Sequence, residues 1–332
     1  MKTKILTCLL AGCSVIFLQS CIRSSANKQS IIFYSYADNS EELHYLVPMV
    51  ESIRTFAGKY RDARIWIYLQ PALREQEDSN IRELISYDVV IRDIEIPDEA
   101  DWFFLSGLVF SAARAESEAE GKTDILVFLN YDTVILDEPN EFNLSAHQKF
   151  GYRPVMHKNI GLLFFEPVDS FWTEIYEKMN VDPSTLFPMV TPADGDTIHP
   201  YINAGLLVVR PEEEILRRWL EYYKKLYNDT LLRKMCEMDF RKRIFLHQTA
   251  LTGAMLNHLN QDEMVKLSDH YNYPIFVREQ FGSKKDFHDI TNVVTFRHES
   301  YFSNPDPDWE KKLTGPEEKI EWIKEHFLRI VI

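Results

Sequence analysis

The segment 124–129, Asp-Ile-Leu-Val-Phe-Leu, constrains this chain more than any other feature. An unbroken apolar run of this length reads as a strand buried on both faces. A sheet of such strands needs covering helices, and the flanking sequence alternates accordingly. Apolar and β-branched runs at 31–36, 63–69 and 89–91 read as strands. Between them, residues 43–60 carry Leu46, Met49, Val50, Ile53, Phe56 and Ala57 at helical spacing. Residues 79–85 read as a short helix, and the Ala- and Phe-rich 102–119 as a helix ending near Gly121. This alternation predicts an α/β fold around a mainly parallel sheet. The second half is less regular. Strands are expected at 160–165, 204–209 and 293–296, and helices at 169–179, 211–226 and 245–259. A closing amphipathic helix is expected over 316–330, with Pro316 in its first turn and Ile320, Ile323, Phe327 and Ile330 on one face.

The first twenty residues stand apart. Lys2 and Lys4 precede an almost wholly apolar run from 5 to 18, and Gln19-Ser20-Cys21 follows. A run of about 14 apolar residues behind a basic start predicts a signal peptide over 1–20, because a spanning helix needs about 20. Leu18-Gln19-Ser20-Cys21 resembles a bacterial lipobox, whose cysteine is acylated after cleavage. Leu10-Ala11-Gly12-Cys13 also fits that pattern but lies too early to leave a sufficient apolar run. The expectation is an exported lipoprotein held to the membrane by lipid on Cys21, facing the periplasm or cell exterior, with 21–29 as a polar tether. Cys8 and Cys13 would leave with the signal. Cys236 would then have no internal partner, and it reads as a small buried hydrophobe.

The remainder, 30–332, contains no internal repeat or Pro/Gly linker and is expected to be one domain. Hydrophobic residues are 45% of the 332 and charged residues 27%, which supports an ordinary core and excludes wholesale disorder. Thirty-seven Lys and Arg against 51 Asp and Glu give a charge of −14, or −16 once Lys2 and Lys4 are removed. That balance argues against nucleic acid as a partner, since nucleic-acid binding needs a basic face to displace counterions. It also argues against docking of the folded body on anionic lipid. Walker, Gly-x-Gly-x-x-Gly, Gly-x-Ser-x-Gly, His-Glu-x-x-His and Cys-x-x-Cys patterns are all missing from the sequence.

In open α/β sheets, ligands bind beyond the carboxyl ends of the strands. The strand at 124–129 runs into Asn130-Tyr131-Asp132-Thr133. Oxygen-bearing side chains two apart just past a buried strand can point to one place. There they could hold a hard cation together with a substrate's phosphates, or they could simply form the turn.

At this point the sequence resembles a family. Residues 129–136, Leu-Asn-Tyr-Asp-Thr-Val-Ile-Leu, resemble the Asp-x-Asp segment of GT-A-fold nucleotide-sugar glycosyltransferases, especially those like glycosyltransferase family 8. Other segments resemble that family in order. They are Ser35-Tyr36-Ala37-Asp38-Asn39 at the base-binding loop, Glu51-Ser52-Ile53-Arg54 at the end of the first helix, and 201–208 at the Asn-Ala-Gly segment. His247-Gln248-Thr249-Ala250-Leu251 and His298, after Val293-Val294-Thr295-Phe296, complete the set. The resemblance implies a GT-A-like domain with a nucleotide-binding half at 30–150 and a sugar and acceptor half at 151–332. It implies transfer of a sugar from a UDP- or GDP-sugar to a hydroxyl of a glycan or other acceptor, with Mn²⁺ or Mg²⁺. Asn130, Asp132 and His298 would hold the metal, a nitrogen ligand favouring Mn²⁺. Ala37, Asp38, Asp132 and Gly205 would meet the donor nucleotide and sugar, and Asn203 and Gln248 would bond sugar hydroxyls. Arg153 or Lys158 could neutralise phosphate. Three departures matter: Asn130 and His247 stand where the family has Asp, and Glu299-Ser300-Tyr301 follows His298 in place of that family's Gly/Lys/Pro/Trp surroundings. Asn130, together with expected export away from cytosolic nucleotide sugars, leaves open an alternative, a GT-A-like protein of weakened or lost turnover that binds a glycan or nucleotide.

Overall fold

A computed structural model describes residues 29–76, 78–277, 287–299, 301–302 and 308–327. The expected signal segment, Cys21 and Ile330 lie outside these residues. β1 (Ile31–Ala37) turns through Asn39 into α1 (Ser40–Phe56), and β2 (Arg64–Leu69), α2 (Pro71–Arg74), α3 (Ser79–Ser86) and β3 (Val89–Asp93) follow. α4 (Asp98–Asp101) and α5 (Ser106–Ala119) lead back to β4 (Ile125–Leu129), then β5 (Thr133–Ile135) and β6 (Phe150–Tyr152). The second half runs α6 (Ser170–Met179), β7 (Met189–Val190), β8 (Thr197–Ile198), β9 (Leu206–Val209), α7 (Ile215–Tyr227), α8 (Thr230–Met238) and α9 (Phe240–His258). It closes with β10 (Met264–Lys266), β11 (Tyr273–Pro274), β12 (Thr295–Arg297), α10 (Trp309–Lys312) and α11 (Glu317–Phe327).

The main sheet has the order β10-β6-β9-β4-β1-β2-β3. β1 is parallel to both β2 and β4, and β2 to β3, whereas β9 is antiparallel to β4 and β6. Side chains alternate across it with period two. Ile31, Phe33, Ile65, Ile67, Ile125, Val127 and Leu129 pack on one face beneath α1 residues such as Leu46 and Val50. Ile32, Tyr34, Trp66, Tyr68, Leu126 and Phe128 pack on the other with α5, α7 and α9 residues such as Val109, Trp219 and Leu251. All five residues of β4 are at most 1% exposed. Truncating Phe128 to Ala there would cost about 3–5 kcal/mol.

Caps fix where the helices begin. Asn39 accepts from the Glu42 amide at 3.0 Å and starts α1 at the mouth of β1. Asp239 accepts from the Arg241 amide at 3.0 Å, so α9 starts five residues earlier than the apolar pattern suggests. Two expectations are corrected. The helix expected from Trp102 is broken, because Leu105 adopts a left-handed backbone (φ 61°) and α5 begins only at Ser106. The hydroxyl of Ser106 donates to the Ala100 carbonyl at 2.7 Å and ties the break together. The strand expected at 160–165 is not one. It makes a single bridge, Leu163 to Ile198, and Phe165 is 89% exposed. Cys236 is buried, as its sequence context suggests.

A second, three-stranded sheet, β11-β12-β5, lies beside the end of β4. β12 is antiparallel to β5, with Arg297 opposite Thr133. It therefore lays a segment from near the C-terminus directly over the turn that follows β4.

Candidate active site

β1 is the topological switch point of the main sheet, with β2 on one side and β4 on the other. Because β9 runs antiparallel to β4, its N-terminal end reaches the same edge as the C-terminal ends of β1 and β4. The Asn130 amide donates to the Gly205 carbonyl at 3.0 Å and joins the two turns. A cleft of about 540 Å³ opens there. Asn130, Asp132, Asn203, Gly205 and Gln248 line it, so five of the sequence-derived site residues converge.

Asp132 is 1% exposed and accepts three hydrogen bonds. Its Oδ1 accepts from Asn130 Nδ2 at 2.7 Å and from Arg297 Nε at 2.8 Å, and its Oδ2 accepts from Arg297 Nη2 at 2.8 Å. Burial alone would raise the carboxyl, but the guanidinium overrides it and holds Asp132 below the usual carboxylate range. Arg297 Nη2 also reaches Glu299 Oε1 at 3.3 Å. Nη1 makes no hydrogen bond among the described residues. It lies over Gly205, where a Cβ would sit 2.2 Å from it and 2.8 Å from Asn203 Oδ1. Glycine at 205 is thus what makes room for the guanidinium.

The Asn203–Gly205 turn is rigid. Asn203 Oδ1 accepts from the Gly205 amide at 2.7 Å and from Asn272 Nδ2 at 3.2 Å. Gln248 Oε1 accepts from the Ala204 amide at 3.1 Å, and its Nε2 donates to the Tyr201 hydroxyl at 3.2 Å. Gln248 therefore holds the turn, while the Asn203 side-chain nitrogen makes no hydrogen bond among the described residues. His247 also lines the cleft. Its Nδ1 lies 2.8 Å from the Ile244 carbonyl, which can only accept, so Nδ1 carries the proton. Burial pulls this imidazole down to about 4, so it is neutral at pH 7. Glu42 lines the cleft as well, with its Oε2 accepting from the Asp38 amide at 2.7 Å. Burial, reinforced by the charges of Asp38 and Asp132, pushes its carboxyl up to about 7.

Other expected residues do not line the cleft. Ala37 is buried at the end of β1, and Asp38 accepts from the Tyr36 hydroxyl at 2.7 Å and from Gln70 Nε2 at 3.0 Å. Arg153, expected near phosphate, is 1% exposed and bound instead to the Leu267 carbonyl at 2.6 Å and Asp269 at 2.8 Å. Lys158 is outside the lining too. His298 is fully buried, and its ring packs against Tyr45, Phe302 and Phe327 at centroid distances of 4.9, 5.2 and 5.0 Å. Period two explains this: Phe296 and His298 point to one side of β12, and Thr295 and Arg297 to the other. Arg297, not its neighbour, meets Asp132. Sequence reasoning missed Arg297, although the same alternation carried the signal.

The donor set does not fit a divalent cation. Asp132 is the single carboxylate of the turn, it is 1% exposed, and its oxygens already accept three hydrogen bonds, two of them from Arg297. Asn130 turns its amide nitrogen to Asp132, and the free Nε2 of His298 sits among aromatic rings. Among the described residues no three His, Cys, Asp or Glu side chains group to hold a metal.

A mainly parallel sheet with a cleft at its switch point, an Asn-x-Asp turn and an Asn-Ala-Gly turn define a GT-A-like glycosyltransferase domain. The profile of the Rhodobacterales glycosyltransferase domain matches residues 40–258, and the chain belongs to that family. No curated protein matches the sequence. The fold is similar to that of WbbM, a bifunctional glycosyltransferase in its apo form, at 12% identity and a TM-score of 0.50. The likeness covers 90% of this chain and 52% of WbbM, so this chain spans about half that protein's length. Mouse xyloside xylosyltransferase 1 in its apo form (13% identity, 81% of this chain and 97% of that one) is a more distant likeness. So is the galactosyltransferase LgtC with donor and acceptor sugar analogs (15%, 88% and 99%), both at a TM-score of 0.43.

Proposed function

We propose that the cleft binds a nucleotide-diphosphate sugar, UDP- or GDP-linked, and passes its sugar to a hydroxyl of a glycan or other acceptor. The observation that carries this reading is the meeting of the two turns, at Asn130–Asp132 and Asn203–Gly205, beside a guanidinium at the switch point of the sheet. In the reaction the bond from the anomeric carbon to the β-phosphate oxygen breaks, and the diphosphate leaves with the electron pair. A bond forms from the acceptor oxygen to that carbon, and the acceptor proton is released. Arg297 faces the charge that develops on the leaving diphosphate. Asn203 Nδ2 bonds a sugar hydroxyl, and Gln248 positions the turn that carries it. Leu105, Leu108 and Phe245 give the cleft an apolar side that suits the non-polar face of a sugar ring.

Cys21 and the apolar run before it support export and lipid anchoring. No helix among the described residues is long and apolar enough to cross a membrane. Mass spectrometry of the membrane fraction tests this part: an acylated N-terminus at Cys21 supports it, and an intact N-terminus at Met1 sinks it. The enzymatic reading is tested by incubating the protein with UDP- and GDP-sugars, with and without simple glycan acceptors, and measuring free UDP or GDP. Release that rises with an acceptor supports transfer. Tight nucleotide binding without release from any donor favours the alternative, a binding protein built on the same fold.

A further inference from the structure

We infer that Arg297 is the cation of this site, so that the chain binds its donor's diphosphate without a divalent metal. The inference rests on the diphosphate reading of the cleft given above and departs from the metal that the Asn130-x-Asp132 turn suggests. A divalent ion approaches a carboxylate oxygen to about 2.0–2.6 Å. At Asp132 three of the four acceptor positions are taken, on Oδ1 by Arg297 Nε at 2.8 Å and Asn130 Nδ2 at 2.7 Å and on Oδ2 by Arg297 Nη2 at 2.8 Å. A metal at the remaining Oδ2 position would lie beside the guanidinium charge in a buried site, and one anywhere else on the carboxylate would have to expel the guanidinium and replace its charge-assisted bonds. Asn130 supplies no second carboxylate, and His298 packs its ring into the aromatic cluster.

The same contacts assign Asp132 a different task. Its two oxygens fix the guanidinium plane, Gly205 makes room for Nη1, and Arg297 lines the cleft with no hydrogen bond on Nη1 among the described residues. A planar, weakly hydrated guanidinium held in this way can bond phosphate oxygens directly. Glu42, also in the cleft lining, is about half ionised at pH 7 and adds less than a full opposing charge. Asp132 is then a positioning residue that also weakens the attraction of Arg297 for phosphate. The two readings of Asp132 therefore predict opposite signs. Removing its charge destroys a metal site, but it strengthens an arginine site.

The test is calorimetric titration of the full chain with UDP and with GDP, in EDTA and then in Mn²⁺ or Mg²⁺, with folding checked by circular dichroism. The expected result is one Kd, within about twofold, in EDTA and in metal, with D132N tightening binding about three- to tenfold at low salt. R297Q is expected to weaken binding about 100-fold or more and R297K about tenfold, since lysine keeps the charge but not the fork. If R297Q does not fold, R297K and D132N still decide. Binding that needs Mn²⁺ or Mg²⁺ and vanishes in D132N overturns the inference while leaving the nucleotide-sugar reading in place. A folded wild-type chain that binds neither UDP nor GDP, with or without metal, overturns that reading itself and the inference with it.

Discussion

Two buried carboxylate–arginine pairs can be set side by side in this molecule, Glu116 with Arg217 and Asp132 with Arg297. Glu116, in α5, is completely buried. It accepts from the Leu216 and Arg217 amides at 3.0 and 2.8 Å and from Arg217 Nε at 3.3 Å. It thereby caps the start of α7, whose own N-terminal residue, Glu214, makes no side-chain cap. The other nitrogens of Arg217 are also used, Nη1 by Glu120 at 2.9 Å and Nη2 by the Pro211 carbonyl at 3.1 Å. Arg297 is bound through Nε and Nη2, lines the cleft, and makes no hydrogen bond through Nη1 among the described residues. A pair whose hydrogen bonds all close on the protein holds the fold together. A pair with one donor left over, at the edge where a sheet binds ligands, is the one we propose for binding phosphate. Burial and charge alone do not separate the two.

The largest expected effect breaks the first pair. Glu116→Ala leaves two helix amides and a guanidinium without their acceptor and should cost about 3 kcal/mol in urea unfolding, with nucleotide affinity of the folded fraction unchanged. A loss below about 1 kcal/mol would mean that water or Glu120 replaces the carboxylate. Gly205→Ala sharpens the second pair. Its Cβ would collide with Arg297 Nη1 and Asn203 Oδ1, so it should cost about 1–2 kcal/mol of stability and about tenfold in UDP or GDP affinity. Unchanged affinity would show that Nη1 does not serve the ligand.

His247 provides a pH handle between the two pairs. Its pKa is about 4 in the fold against about 6.5 in the unfolded chain, so the unfolded state takes up the proton first as pH falls. Its contribution is complete above about 6.5 and is lost progressively down to about 4, by at most about 3 kcal/mol. Chemical unfolding from pH 7.5 to 4.5 should show a steeper acid loss in wild type than in His247→Gln; equal slopes would refute the assignment. The smallest effect belongs to a third, exposed pair, Arg74 with Asp93 at 2.7 Å, whose side chains are 47% and 52% exposed. Asp93→Ala should change stability by less than about 0.5 kcal/mol in the same assay, because solvent screens it. A larger loss would mean that exposure is a poor guide to what these pairs contribute.

Much of the main sheet was legible from the chain alone. β1 to β4 and α1, α3 and α5 lie close to where apolar period and strand runs put them, because each buries a continuous face. Asn130, Asp132, Asn203, Gly205 and Gln248, singled out through the family resemblance, line one cleft in the structure. What misled was local. The apolar residues at 160–165 looked like a strand, but Ile160 and Leu162 are buried from irregular backbone and Phe165 is exposed. Leu105 interrupts a helical pattern with a left-handed backbone that no residue type at that position announces. Arg153 looked like a phosphate ligand because it is basic, yet its guanidinium closes on the Leu267 carbonyl and Asp269.

The sequence by itself determined the α/β class, the buried β4 and the polar turn that must follow it, since these depend on contacts among near neighbours and on period. Only the tertiary structure decided which side chain meets Asp132. Arg297 and His298 are adjacent in sequence and 165 or more residues from Asp132, and spacing that long carries no register. The pairing of Arg297 opposite Thr133 sets it. A shift of one residue would turn the histidine to the cleft and the arginine to the aromatic cluster, because successive side chains of a strand point to opposite faces.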